Sequence, residues 1–246
     1  MNKKTLVIIF YSLFVLLGGL SLVFIPNALK YSYGSIFALF IISLPLFYVL
    51  YFKFGLRTLL KLIISLSLFA LFIEYTGLVT GWPYGEFVYT GNLGYKIFGI
   101  LPWTVGLSWA PLVIGSVTMV YSVTNKKILR IILPVAILVI FDLMLDPVAV
   151  NLGMWSYLNG GAYYNVPVQN FLGWAFSGLI GSLICFAILN KFPRNKIHNL
   201  GYSFFINIVF WSIVALGLGL GIPFVFGLLL VACFIVIYYK NNEKLS

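Results

Sequence analysis

Eight apolar runs of about 20 residues, near positions 5–25, 33–52, 58–79, 101–123, 128–146, 168–190, 200–217 and 221–239, divide the chain. In hydrocarbon every backbone N–H and C=O must find a partner within the protein. An apolar run long enough to cross about 30 Å of bilayer must therefore be a helix. The composition agrees: 62% of residues are hydrophobic and 8% charged, against about 25% charged in soluble domains. The expected fold is all-α, a polytopic transmembrane bundle of about eight spans in a single membrane domain over 1–246. The first run, after Lys3 and Lys4, has the look of a signal peptide, but it is long enough to span and is expected to be retained. Gly217, Gly219, Gly221 and Pro223 make a tight reversal that splits the last apolar stretch into two antiparallel spans.

Charge distribution orients the bundle. With eight spans, thirteen of the fifteen basic residues fall on one side, leaving Lys30 and Lys96 on the other. The positive-inside rule then puts both termini in the cytoplasm of a multi-pass cell-membrane protein. The net charge of +10 is not a nucleic-acid signature, because the basic residues sit in short gaps between apolar runs and form no stripe. Cys185 and Cys233 lie within apolar runs and imply no disulfide framework.

Four of the five acidic residues break the pattern. Glu74, Glu86, Asp142 and Asp146 stand at or beside the outer ends of apolar runs. A carboxyl group there costs several kcal/mol or more unless paired, hydrated or protonated, which marks it as functional. Asp142 and Asp146, four apart, share a helix face, and Pro147 is expected to end that helix. Glu74 precedes Gly81 by seven residues as Asp146 precedes Gly153, and Pro102 precedes Trp109 as Pro167 precedes Trp174. This layout suggests a parallel repeat of spans 3–4 and 5–6, with Glu74 and Asp146 facing one cavity.

The two long outer loops, 80–100 and 147–167, are rich in glycine and aromatics. Interfacial belts also collect Trp and Tyr. Trp82, Trp103, Trp109, Trp155 and Trp174 nonetheless gather on the half that carries the carboxyl groups, where π faces could stabilise a cation. Tyr84, Tyr163, Tyr164, Gln169 and Asn170 are candidates to orient the carboxyl groups or a water. The lone histidine, His198, excludes histidine-rich di-iron and bis-histidine haem sites. No paired aspartate-rich motif, phosphate-cradling loop or dinucleotide fingerprint is present. Carboxylic acids, aromatic rings and water remain, and they suit acid catalysis without a cofactor or metal.

The run Glu74-x-x-Gly77-x-x-x-Gly81-Trp82-Pro83-Tyr84-Gly85-x-Phe87-x-Tyr89 is followed by Leu93-Gly94, Leu101-Pro102 to Trp109, and Asp142-x-x-x-Asp146-Pro147. Then come Gly153-x-Trp155, Gly161-x-Tyr163-Tyr164-x-Val166-Pro167 and Asn170-x-x-Gly173-Trp174. This series, over about 70–180, resembles the carotenoid-biosynthesis hydratases, integral-membrane enzymes of the bisanhydrobacterioruberin hydratase and γ-carotene hydratase type. Asn165 stands where a glycine is expected and Tyr157 where a second tryptophan is, which leaves the exact isoprenoid open.

The resemblance implies addition of water across a terminal trisubstituted double bond of a carotenoid or related prenyl lipid. For that chemistry Asp146 or Glu74 is assigned as proton donor and the other as cation stabiliser or water base, with Asp142, a further catalytic candidate, and Asn170 as orienting groups. Substrate would meet Trp82, Tyr84, Trp109, Trp155, Tyr163, Tyr164, Asn170 and Trp174. The implied partners are that substrate and membrane lipid, with association with other carotenoid-pathway enzymes a further expectation. A carotene cyclase using the same acid chemistry, and a proton-coupled transporter or binder of lipophilic molecules, remain as alternatives.

Overall fold

The computed structural model describes residues 3–25, 32–90, 93–193 and 197–242. Eight α-helices lie within them: α1 (Lys3–Phe24), α2 (Ser32–Phe54), α3 (Leu56–Thr80), α4 (Thr104–Val123), α5 (Leu129–Asn151), α6 (Val168–Leu189), α7 (Tyr202–Gly217) and α8 (Gly221–Asn242). Seven are long and apolar enough to cross a membrane, making this a multi-pass membrane protein. The exception is α7, whose 16 residues are preceded by a 3-10 turn at His198–Gly201. The seventh expected span, near 200–217, is thus a shorter α-helix than the apolar run suggested.

Helix α4 forms the axis of the bundle. Val113, Ile114 and Val117 on it are fully buried, and it packs against α2, α3, α5, α6, α7 and α8. The surrounding helices present Leu16, Phe52, Phe72, Leu172 and Val236 outward, as a lipid-facing surface requires. The expected start of the fourth span at residue 101 is displaced: Leu101–Pro102 is a strand, β3, paired with β2 (Lys96–Ile97), and α4 begins at Thr104.

Prolines inside the spans show how their backbone is satisfied. Pro147 does not end α5, contrary to expectation; the helix runs through it to Asn151. A proline has no N–H to give the carbonyl four residues back, which would leave Leu143 O orphaned in an apolar surround. The Tyr163 hydroxyl donates to that oxygen at 2.9 Å. Pro45 in α2 frees Ile41 O in the same way, and the Tyr11 hydroxyl of α1 donates to it at 3.1 Å. Two tyrosines thus replace hydrogen bonds that the prolines remove, and the helices continue.

Across the outer end of the bundle the two long loops pair. Strand β1 (Phe87–Tyr89) runs antiparallel to β4 (Trp155–Tyr157), with Phe87 opposite Tyr157 and Tyr89 opposite Trp155. Additional bonds extend the ribbon at both ends, from Leu158 N to Glu86 O at 2.9 Å and from Thr90 N to Met154 O at 3.1 Å. Below it the buried Tyr84 ring wedges between α3 and α6. A Cβ at Gly77 would stand 3.0 Å from Tyr84 Cδ2, and one at Gly173 2.6 Å from Cδ1. These glycines create the slot for the ring.

Candidate active site

Helix α5 carries Asp142 and Asp146 one turn apart, and α6 brings Asn170 to them in its first turn. The Asn170 Nδ2 donates at 2.7 Å to Asp142 Oδ2 and at 2.7 Å to Asp146 Oδ2. Asp142 is 0% exposed, Asp146 2% and Asn170 2%, so all three side chains are buried. Asp142 Oδ1 is buried and has no hydrogen-bond partner among the described residues. Glu74, near the outer end of α3, is also buried.

Two tyrosines of the outer ribbon complete the arrangement. Tyr89 at the end of β1 donates to Glu74 Oε2 at 2.9 Å, and Tyr157 at the end of β4 donates to Asp146 Oδ2 at 2.5 Å. Alternation along a strand puts Phe87 and Tyr89 on one side of β1 and Trp155 and Tyr157 on one side of β4, and all four line the cavity below. Burial, followed by the nearby carboxyl groups, raises both phenols well above the ordinary tyrosine range, so they remain donors. Lys96 Nζ donates to Tyr89 O at 2.6 Å and anchors the strand from the other side.

The carboxyl groups open on a cavity of about 380 Å³. Glu74 and Asp146 both line it, together with Tyr84, Trp109, Trp155, Asn170 and Trp174. Trp109 and Trp174 are stacked, their ring centroids 5.1 Å apart and planes inclined by 14°. Asp142 stands behind Asp146 and is absent from the lining. The site is therefore two cavity-facing carboxyl groups, a third behind one of them, and an aromatic enclosure.

Other candidate residues lie elsewhere. Trp82 is 50% exposed and packs on Phe176 with centroids 4.9 Å apart. Tyr163 caps the α5 carbonyl and meets Tyr164 edge to face at 5.0 Å; neither lines the cavity. Trp103 leans on Phe40 outside it. Glu86 is exposed and accepts a bond from Asn159 Nδ2 at 3.2 Å.

Sequence reasoning left Tyr89 and Tyr157 out of the site, although each ends a three-residue aromatic–x–Tyr alternation that signals a strand with one aromatic face. It also passed over the wall supplied by α1, α2 and α7, which includes Phe14, Phe37, Asn207 and Trp211. Among the described residues no group of three or more His, Cys, Asp or Glu is placed to hold a metal ion.

Comparison with known proteins bears on this geometry. The chain matches the model of a family described as carotenoid biosynthesis protein over residues 30–234. It is 32% identical over 193 residues to a bisanhydrobacterioruberin hydratase of Haloarcula japonica, an alignment covering 74% of this chain and 64% of the relative. The chain thus spans less than two thirds of that relative's length. No solved structure matches.

Proposed function

The chain belongs to the carotenoid biosynthesis protein family, and from that premise we propose that it is a hydratase adding water to a terminal trisubstituted double bond of a carotenoid or related long isoprenoid. One observation carries the reading: two buried carboxyl groups, each bonded by a tyrosine, face one apolar, tryptophan-lined cavity within a membrane bundle. The relative named a bisanhydrobacterioruberin hydratase supports the same reaction class.

The hydrogen bonds divide the labour between the acids. Asp146 Oδ2 accepts from both Tyr157 and Asn170, and two donors on one oxygen favour the anion. Glu74 Oε2 accepts from the Tyr89 hydroxyl, and Glu74 is the proton donor. Asp142, enclosed with one oxygen unbonded, is neutral. Two carboxyls joined through one amide would otherwise hold adjacent negative charges in a low-dielectric site.

Glu74 gives its proton to the less substituted alkene carbon, and the more substituted carbon becomes a tertiary cation. The Trp109 and Trp174 π systems and the Asp146 carboxylate stabilise that cation. A water bonded to Asp146 attacks it; a C–O bond forms and the excess proton passes to Asp146. Transfer of that proton through water to Glu74 restores the resting state. The sum is alkene plus water giving tertiary alcohol, with no oxidant or cofactor consumed.

The cell membrane is the proposed location, since the substrate dissolves there, and neighbouring enzymes of the pathway are proposed partners. The test uses membranes from a host without carotenoid genes, supplied with an acyclic carotene under strict anaerobiosis. The expected product is an alcohol whose oxygen comes from isotopic water and whose adjacent carbon gains one deuterium from heavy water. A ring or an unchanged carotene would refute hydration.

A further inference from the structure

The cavity extends beyond the carboxyl groups, and its far wall is built by helices that have no part in the proton chemistry. Helix α1 lies against α7, whereas α2 lies against α3, α4 and α7. The consecutive helices α1 and α2 meet through side chains: the Tyr11 hydroxyl on Ile41 O at 3.1 Å, and the Phe14 ring edge-on to Phe37 with centroids 6.4 Å apart. Outward of these contacts both helices turn glycine toward the cavity, Gly18 from α1 and Gly34 from α2.

A Cβ placed on Gly34 would find nothing within 4 Å among the described residues, whereas one on Gly18 would stand 3.2 Å from Phe210 Cε2. Phe37 lines the cavity and is also 60% exposed. A side chain that does both stands on the boundary between the cavity and the outside. On this peripheral face, among exposed Leu13, Leu17 and Phe40, the outside is hydrocarbon.

Size gives the opening a purpose. A cavity of about 380 Å³ lies near the lower end of the roughly 300–1,000 Å³ found for drug-sized ligands. It can enclose one end of a long isoprenoid but not the whole chain.

We propose that the slot between α1 and α2, bounded by Gly18, Gly34 and Phe37, is a lateral portal through which the unreacted part of the isoprenoid lies out into the bilayer while its terminal double bond reaches Glu74. The proposal rests on the hydratase reading. It makes α1, which precedes the family-matched residues 30–234, a determinant of which chains are accepted. Phe14 continues the apolar path inward from Phe37, stacking on Phe210 with centroids 6.5 Å apart. An aromatic wall of this kind suits a rigid conjugated chain with no polar group to satisfy.

The experiment compares a forty-carbon acyclic carotene with a ten-carbon prenol bearing the same terminal alkene, short enough to be enclosed. Gly34→Leu fills the empty side of the slot, and the ratio of long-substrate to short-substrate turnover should fall at least about tenfold, the scale set by steric fit in an apolar pocket. An unchanged ratio, with the wild-type enzyme hydrating both compounds, would overturn the portal and leave the hydratase reading intact. Wild-type failure on both compounds would remove the hydratase reading and the portal with it.

A photoreactive benzoyl-phenylalanine at Phe37 provides a test independent of the Leu variant's folding. In otherwise wild-type protein it should form an adduct with the carotene. The same group at Phe72, a 67% exposed position on α3, should not. Equal labelling at the two positions would also overturn the portal.

Discussion

Asn170 reaches from α6 to α5 and sets its amide nitrogen 2.7 Å from Asp146 Oδ2, while the same nitrogen stands 2.7 Å from Asp142 Oδ2. One side chain therefore fixes the relative position of two buried acids. Asn170→Ala should lower turnover at least about tenfold, because the water base loses a donor that holds it as the anion. Asn170→Asp should be worse, since it replaces the donor by a third acid. Rates per folded enzyme check both; Asn170→Ala at the wild-type rate would remove Asn170 from the site.

Removing the proton-carrying groups tests the chemistry directly. Glu74→Gln and Asp146→Asn preserve size and should each reduce turnover by about a hundredfold or more, the usual scale for general acid–base catalysis. Glu86→Gln alters an exposed carboxyl group bonded to Asn159 and should stay within about threefold of the wild type, since an exposed surface contact contributes little. The comparison is made under single-turnover conditions with an acyclic carotene.

The tyrosines separate site from scaffold. Tyr157→Phe deletes the donor at 2.5 Å from Asp146 and Tyr89→Phe the donor at 2.9 Å from Glu74; both should lower turnover with little change in thermal stability. Tyr163→Phe leaves Leu143 O without the bond that replaces the one lost to Pro147. It should cost about 1–3 kcal/mol of stability and change turnover per folded molecule little. Unfolding scans in detergent beside rates distinguish the two patterns.

Orientation is tested with single cysteines in a background of Cys185→Ala and Cys233→Ala. A cysteine at Asn159, in the loop after β4, should react with an impermeant thiol reagent applied to sealed cells. A cysteine at Lys127, between α4 and α5, should react only after the membrane is opened. Labelling of the Lys127 position in sealed cells would invert the topology derived from the basic residues.

The sequence alone determined the membrane class, most of the span positions and the unusual standing of Glu74, Asp142 and Asp146. Each follows from a local transfer cost: about 20 apolar residues cross hydrocarbon wherever they occur, and a carboxyl group there is costly whatever its neighbours. Tertiary structure decided which faces meet. Lipid and protein interior are equally apolar, so a span carries little of the polar–apolar periodicity that marks an inward face in a soluble helix. Hence the contributions of Phe14, Phe37 and Asn207 to the cavity were hidden in uniform runs. The continuation of α5 through Pro147 depended on a hydroxyl sixteen residues away in the chain, at Tyr163. Whether Tyr89 and Tyr157 were belt residues or donors to the acids depended on β1 pairing with β4, a contact between two loops that no spacing within either loop could specify.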